Sequence, residues 1–392
     1  MRISGRRGLN SCPSKQNGRL TMLRWERVAS SIMTAADVRD TMVEYCRVFF
    51  GPDVAEEAAD GIFTFERTYE GSLATNGGVD ANLALWQKLE AKSPALNGNW
   101  RWQLCLLRAY YDAYTRRRLI YESRLEDEAN ARMLEAKVIG AEKAMDQALA
   151  VLKRAETHPA RPDLRDRTVA LCDQLFKSIG LQTSVPKYGA SGRERGAVLD
   201  FLDYPLNNRW WLEDETAKIR KMGGEQEKCA RLETMANWEH PGPGSFYDSV
   251  GNVAKCPHVV RGDDLSGPLL PVLEKRHVSI PGFMWWDEGA RRTRLSWISD
   301  QWPVALRYAA LDPNADYILR TTGNGDCFPR VNDVRLEPTV YGKEIGDVKE
   351  FPVPKKLYPD GVITLTFDPV LEPGLNWRVQ SRLTEVWLIK KK

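Results

Sequence analysis

The sequence predicts two structural classes in series, a helical region over about residues 35–239 and an all-β domain over about residues 245–392. Apolar residues recur at three- and four-residue spacing through the first part. Short β-rich runs separated by Gly, Pro, Asn and Asp fill the second. Between them, Pro241-Gly242-Pro243-Gly244 is the sharpest compositional break in the chain. The expected division is a disordered basic tail over 1–33, an α-helical domain over 34–240 and a β-sandwich domain over 245–392.

The helices are read in order. Thr34 and Asp37 suit a helix start, and Val38, Met42, Tyr45, Cys46, Phe49 and Phe50 give the apolar stripe. Gly51-Pro52 stops that helix and starts another with Ala55, Ala58, Ala59, Ile62 and Phe63 on its apolar face. After a Gly-rich turn, Leu83, Trp86 and Leu89 mark a short helix. From Trp100 to Glu156 the chain holds no Pro and only Gly140, a length of about 85 Å if it were one helix. A bend near Ser123 is therefore expected, giving a helical hairpin. Its seam would be Leu125, Ala129, Met133, Val138, Ala141, Met145, Ala148 and Leu152, spaced as in a coiled coil. Pro162 opens a further helix closed by Gly180, and Cys229, Leu232, Met235 and Trp238 mark the last.

Residues 187–211 break this regularity with glycines, charges and two adjacent tryptophans. Irregular segments of this kind often carry function, which makes Arg193, Asp200, Asp203, Arg209 and Trp211 candidate site residues. A packing role competes, with Asn207 or Asn208 capping the next helix and Arg209 pairing with a local acid.

In the β domain, strands are expected at Gly282–Trp286, Arg294–Ile298, Tyr317–Thr321, Phe328–Val331, Val362–Phe367 and Glu385–Ile389. Asn332-Asp333 reads as a tight hairpin turn. Many short strands at regular spacing indicate an antiparallel sandwich or jelly roll. Flat indole faces suit pyranose rings, and neighbouring polar groups suit their hydroxyls. Trp285, Trp286 and Asp287 form one carbohydrate-binding candidate, and Trp377, Arg378 and Arg382 another. In a strand Trp285 and Trp286 face opposite sides, so one of them is expected in the core.

Composition excludes several classes. With 43% hydrophobic and 28% charged residues, wholesale disorder is ruled out. No long apolar run indicates a membrane span, and the basic start lacks the apolar core of a secretory signal, so a cytoplasmic location is the default expectation. The net charge of +3 comes from the tail, since residues 1–28 carry seven basic side chains against Glu26 alone. The mildly acidic remainder argues against a nucleic-acid partner. Seven scattered cysteines with no C-x-x-C read as buried free thiols rather than a disulfide framework. Gly189–Gly196 lacks the G-K-[ST] ending of a phosphate loop, Cys256-Pro257-His258 lacks further ligands for zinc, and Glu213–Glu215 suits a helix start. No cofactor, metal or self-contained catalytic motif is expected.

Phe49-Phe50-Gly51-Pro52-Asp53, Glu56-Glu57-Ala58-Ala59, Tyr69 to Asn76 and Trp100 to Tyr114 together resemble the helical region that follows the catalytic barrel in large bacterial glycoside-hydrolase-like proteins. Those proteins are relatives of α-glucuronidases and hexosaminidases. Tyr317–Pro338, Gly361–Phe367 and Leu383–Lys390 are similar to galactose-binding-like jelly rolls appended to such enzymes. The resemblance implies a non-catalytic C-terminal portion of a glycan-processing protein, with carbohydrate contacted by the β-sandwich or with docking to a barrel outside this chain. The catalytic carboxylates of that family lie in the barrel, so none is carried over. Two alternatives stay open: a complete glycan-active enzyme with its site at loop 187–211, and a helical protein-interaction scaffold.

Overall fold

The computed structural model describes residues 35–68, 72–192, 196–250, 255–260, 294, 305–344, 346–368 and 382–391. The basic tail, the predicted strand 282–286 and all of 294–298 except Arg294 lie outside them. Among the described residues, ten α-helices precede nine β-strands, so the expected α-then-β order is present.

Helix α1 (Ala35–Phe50) ends where Gly51 takes a φ of 96°, a conformation glycine adopts without steric penalty. Helix α2 (Ala55–Arg67) carries Glu56 and Glu57 in its first turn, where acids complement the helix dipole. Helix α3 is Gly78–Lys92. Helix α4 then runs Trp100–Leu134 and passes through Ser123 unbroken, which corrects the expected bend. From Thr115 to Leu134 the chain holds neither Gly nor Pro, and a serine inside a helix costs too little to break it. The break falls at the short α5 (Ala136–Ile139) and Gly140, whose φ is 90°, before α6 (Ala141–Thr157). Of the predicted seam, Leu125, Ala129, Met133, Ala141, Met145, Ala148 and Leu152 are buried, whereas Val138, in α5, is 87% exposed. Helix α7 (Pro162–Ile179) starts at Pro162 and ends at Gly180 in the left-handed region, as its sequence signals require. Helices α8 (Val185–Tyr188), α9 (Arg209–Arg220) and α10 (Glu225–Ala236) follow.

The chain forms two compact units, Met1–Arg124 with Lys153–Leu206, and Leu125–Leu152 with Asn207–Lys392. In the first, Trp86 and Trp102 are fully buried and meet edge to face at 5.2 Å. Phe65 stacks on Trp86, and Gly61 lets the indole approach, since a Cβ there would lie 2.8 Å from Trp86 Nε1. A buried ion pair, Arg118 with Glu122, organises the segment after α8. Arg118 donates to the carbonyls of Leu202 and Tyr204, while Glu122 accepts from the Leu206 N–H at 2.6 Å.

The second unit holds both sheets. One is five-stranded, in the order β1-β9-β3-β7-β6, and the other four-stranded, in the order β2-β8-β4-β5. The strands are β1 (Phe246–Ser249), β2 (Leu306–Tyr308), β3 (Tyr317–Asn324), β4 (Pro329–Val331), β5 (Val334–Arg335), β6 (Val340–Tyr341), β7 (Val348–Val353), β8 (Ile363–Phe367) and β9 (Arg382–Lys390). Every strand pairing is antiparallel among the described residues. Asn332 and Asp333 both take positive φ in the β4–β5 hairpin, the twist such a two-residue turn needs.

Alternation along the strands sends Tyr317, Leu319, Phe351, Val353, Val386 and Leu388 to one face. There they share a core with Leu306, Tyr308, Val331, Ile363 and Leu365 of the other sheet. Where the edge strands β1 and β2 approach each other, the fully buried Asp248 carboxylate joins them. It accepts from Tyr308 Oη at 2.9 Å, from the His258 backbone N–H at 3.1 Å and from His258 Nδ1 at 2.8 Å. A carboxylate only accepts, so the imidazole proton on this side sits on Nδ1.

Candidate functional site

The same alternation puts Tyr247 and Ser249 of β1, Glu385 and Trp387 of β9, and Thr322 of β3 on the opposite face of the five-stranded sheet. Trp211 of α9, Trp238 and Glu239 just after α10, and Arg294 meet this face. The aromatic rings form a row, with centroids of Trp211 and Trp238 at 5.3 Å, Trp238 and Trp387 at 5.6 Å, and Trp387 and Tyr247 at 5.3 Å.

Glu385 anchors the row from the sheet. Its Oε1 accepts from Trp238 Nε1 at 2.9 Å and Tyr247 Oη at 2.8 Å, and its Oε2 accepts from Thr322 Oγ1 at 3.0 Å. The Trp387 indole N–H donates to the carbonyl of Trp238 at 2.9 Å, fixing the chain leaving α10. The Arg294 guanidinium lies 4.8 Å from the ring centre of Trp211 and 5.3 Å from that of Trp238, a cation held over two aromatic faces. Its Nη2 donates to Glu239 at 2.7 Å, and its Nε lies 3.5 Å from Glu385 Oε1. Lys255 meets the other side of Glu239 at 2.7 Å.

The electrostatics follow from this packing. Burial works against the Arg294 cation, but Glu385, Tyr247 and Glu239 together outweigh it and hold the guanidinium charged. Burial likewise opposes the Glu239 carboxylate, and Lys255 and Arg294 overcome it, so its pKa falls below the ordinary 4.5. Enclosure beside Glu385 and Glu239 pushes the Tyr247 phenol well above its usual value. A carboxylate with a depressed folded pKa stabilises the fold fully above its unfolded value and loses that contribution as pH falls through the folded one. The urea midpoint of the wild type is therefore expected to drop as pH falls below 4.5, and Glu239→Gln to lose less over that interval. Equal acid sensitivity in the two proteins would contradict the pairing.

The residues predicted from the sequence are dispersed. Asp200 accepts from Ser184 Oγ at 2.6 Å and the Val185 N–H at 2.8 Å, steadying the start of α8. Asp203 accepts from Arg165 and from Tyr114 at 2.9 Å. Both belong to the first unit, whereas Arg209 and Trp211 belong to the second. Arg209 lies 4.0 Å from Glu213 and its backbone N–H donates to Asn207 Oδ1 at 3.1 Å at the start of α9, while Asn208 uses its side chain on Glu126. Only Trp211 of this set enters the aromatic row. Arg193, Trp285, Trp286, Asp287, Trp377 and Arg378 lie outside the described residues, as does the side chain of Arg382, whose backbone starts β9. Glu239, Tyr247 and Arg294 carry no local sequence signal that marks them as site residues. Glu385 carries one, an acid inside the run Leu383 to Ile389 that otherwise reads as a strand buried on both faces.

No protein-family model matches the chain, and no match to it was found among curated proteins or solved structures.

Proposed function

We propose that this chain is a recognition and support portion of a glycan-processing protein, with its two sheets arranged as a jelly-roll sandwich of galactose-binding-like type. Carbohydrate contact is assigned to the second unit. The observation that carries this reading is the aromatic row itself. Trp211, Trp238 and Tyr247 are each only half-buried, and Glu239 and Lys255 stand beside them as acceptor and donor. Half-buried aromatic rings next to ionised groups suit the apolar and hydroxyl surfaces of a sugar ring. The carboxylates near loop 187–211 support a supporting role rather than acid–base chemistry. Asp203 and Glu215 are both held below the ordinary range: burial opposes this, but Arg165 and Tyr114 outweigh it at Asp203, and Lys218 and Arg231 at Glu215.

Affinity electrophoresis of the full chain through gels containing soluble xylan, glucan or galactan tests the proposal. Retardation on one polysaccharide is expected, with Trp238→Ala and Trp211→Ala each weakening it about tenfold or more. Unchanged mobility on every polysaccharide would sink it. So would turnover of a saccharide by the purified chain that a single Asp or Glu substitution abolishes, because the reaction would then reside here.

A further inference from the structure

We propose that Trp211, Trp238, Glu239 and Glu385 form a binding cage for a guanidinium group, and that Arg294 fills it as the chain's own ligand. This inference does not rest on the carbohydrate reading, since it concerns the cation held over the two indoles and not a sugar. Two observations support it independently.

The first is the chemistry of the walls. Two indole rings, tilted 66° to one another, present faces to one cation. Two carboxylates approach the same cation, Glu239 at 2.7 Å and Glu385 at 3.5 Å. An anion placed there would meet both carboxylates, and a neutral ligand would leave Glu385 without a countercharge. A planar cation with several N–H donors fits both the flat rings and the divided acceptors, which a compact ammonium does less well.

The second is that the resident arginine fits its cage incompletely. The Arg294 side chain is 7% exposed. Of its five N–H groups, only one on Nη2 makes a hydrogen bond among the described residues. Its Nε is buried with no hydrogen-bond partner, although Glu385 Oε1 lies 3.5 Å away. Buried donors are seldom left unmatched. A guanidinium arriving without the backbone restraint on Arg294 could turn in its plane and donate to Glu239 and Glu385 together, the forked geometry carboxylates favour. The walls are thus better matched to a free guanidinium group than to the tethered one.

The test removes the resident group from the full chain. Arg294→Ala is titrated with ethylguanidinium, with N-acetylarginine amide and with ethylammonium, following tryptophan fluorescence and the thermal midpoint. Saturable quenching and a raised midpoint are expected with both guanidinium probes, and about tenfold weaker binding of ethylammonium. Adding Glu239→Gln to the variant should weaken the guanidinium probes about tenfold. Tighter binding of the arginine amide would identify an arginine within a polypeptide as the ligand, and tighter binding of ethylguanidinium a small guanidino compound. No saturable response in folded Arg294→Ala, or an equal response to ethylammonium, would overturn the proposal. If Arg294→Ala fails to fold, the circular dichroism of Arg294→Gln must recover when ethylguanidinium is added, and its failure to do so counts equally against the cage.

Discussion

Replacement of Asp248 by alanine is expected to lower the stability of the second unit by about 3–5 kcal/mol. The carboxylate is fully buried and accepts three hydrogen bonds, from the Tyr308 hydroxyl, the His258 backbone N–H and His258 Nδ1. Alanine removes the acceptor and leaves the three donors in place. The Tyr308 hydroxyl and the backbone N–H cannot reach water without opening the contact between β1 and β2, and each unmatched buried donor costs about 1–3 kcal/mol. Asp248→Asn retains the volume and one acceptor, so a loss of roughly half that size is expected. Urea unfolding followed by circular dichroism measures both. A change within about 0.5 kcal/mol for the alanine variant, the range of an ordinary surface substitution, would show that this carboxylate does not hold the edge strands together.

Arg118→Ala is expected to have an effect of similar size in the first unit, about 3–5 kcal/mol. Arg118 and Glu122 have side chains 9% and 4% exposed, so removing the cation leaves a buried carboxylate without its countercharge. The carbonyls of Leu202 and Tyr204 lose their donor at the same time. The decisive comparison is the pair Arg118→Leu with Glu122→Leu. The double variant should be more stable than either single one allows by addition, because the uncompensated charge disappears with its partner. Strict additivity would show that the two side chains act separately.

The sequence made the helices legible because their burial follows the 3.6-residue period and because Gly51, Pro162 and Gly180 mark their ends. The misplaced bend has a specific cause. The length of the run calls for a break but does not place it, and Gly140, with its φ of 90°, supplies the backbone conformation that Ser123 does not. Among the strands, β3, β4, β8 and β9 are legible in their β-branched and aromatic runs; β1, β2 and β6 are not, and neither is β7. Its sequence, Val-Lys-Glu-Phe-Pro-Val, places two charges and a proline where a strand is not expected. Pro352 is tolerated because β6 pairs with β7 only at Lys349 and Glu350, so the prolyl nitrogen needs no partner. Lys349 is fully buried with its amino group 5.3 Å from the Tyr341 ring centre, and burial lowers its pKa. No periodicity announces such a placement.

The site was less legible than the fold. Trp238 and Glu385 meet across 147 positions of chain, and Arg294 lies far from both in sequence. What joins these residues is the order of strands in a sheet, and local pattern does not encode which strand lies next to which. Trp211 is legible because it belongs to a conspicuous local cluster. Tyr247, farther along the row, is ordinary in its own neighbourhood, and Glu385 stands out only as an acid within an apolar run.

The position of β9 between β1 and β3 bears on how this polypeptide is made. Tyr247 and Glu385, whose strands are direct neighbours, are separated by 138 positions. During synthesis β1 therefore emerges from the ribosome long before the strand that must bind it, with its edge groups open to water and to other chains. Such distant pairing slows folding and prolongs the interval in which nascent chains can associate wrongly. Expression at lower temperature, which slows aggregation of these incomplete chains, should accordingly raise the yield of soluble protein.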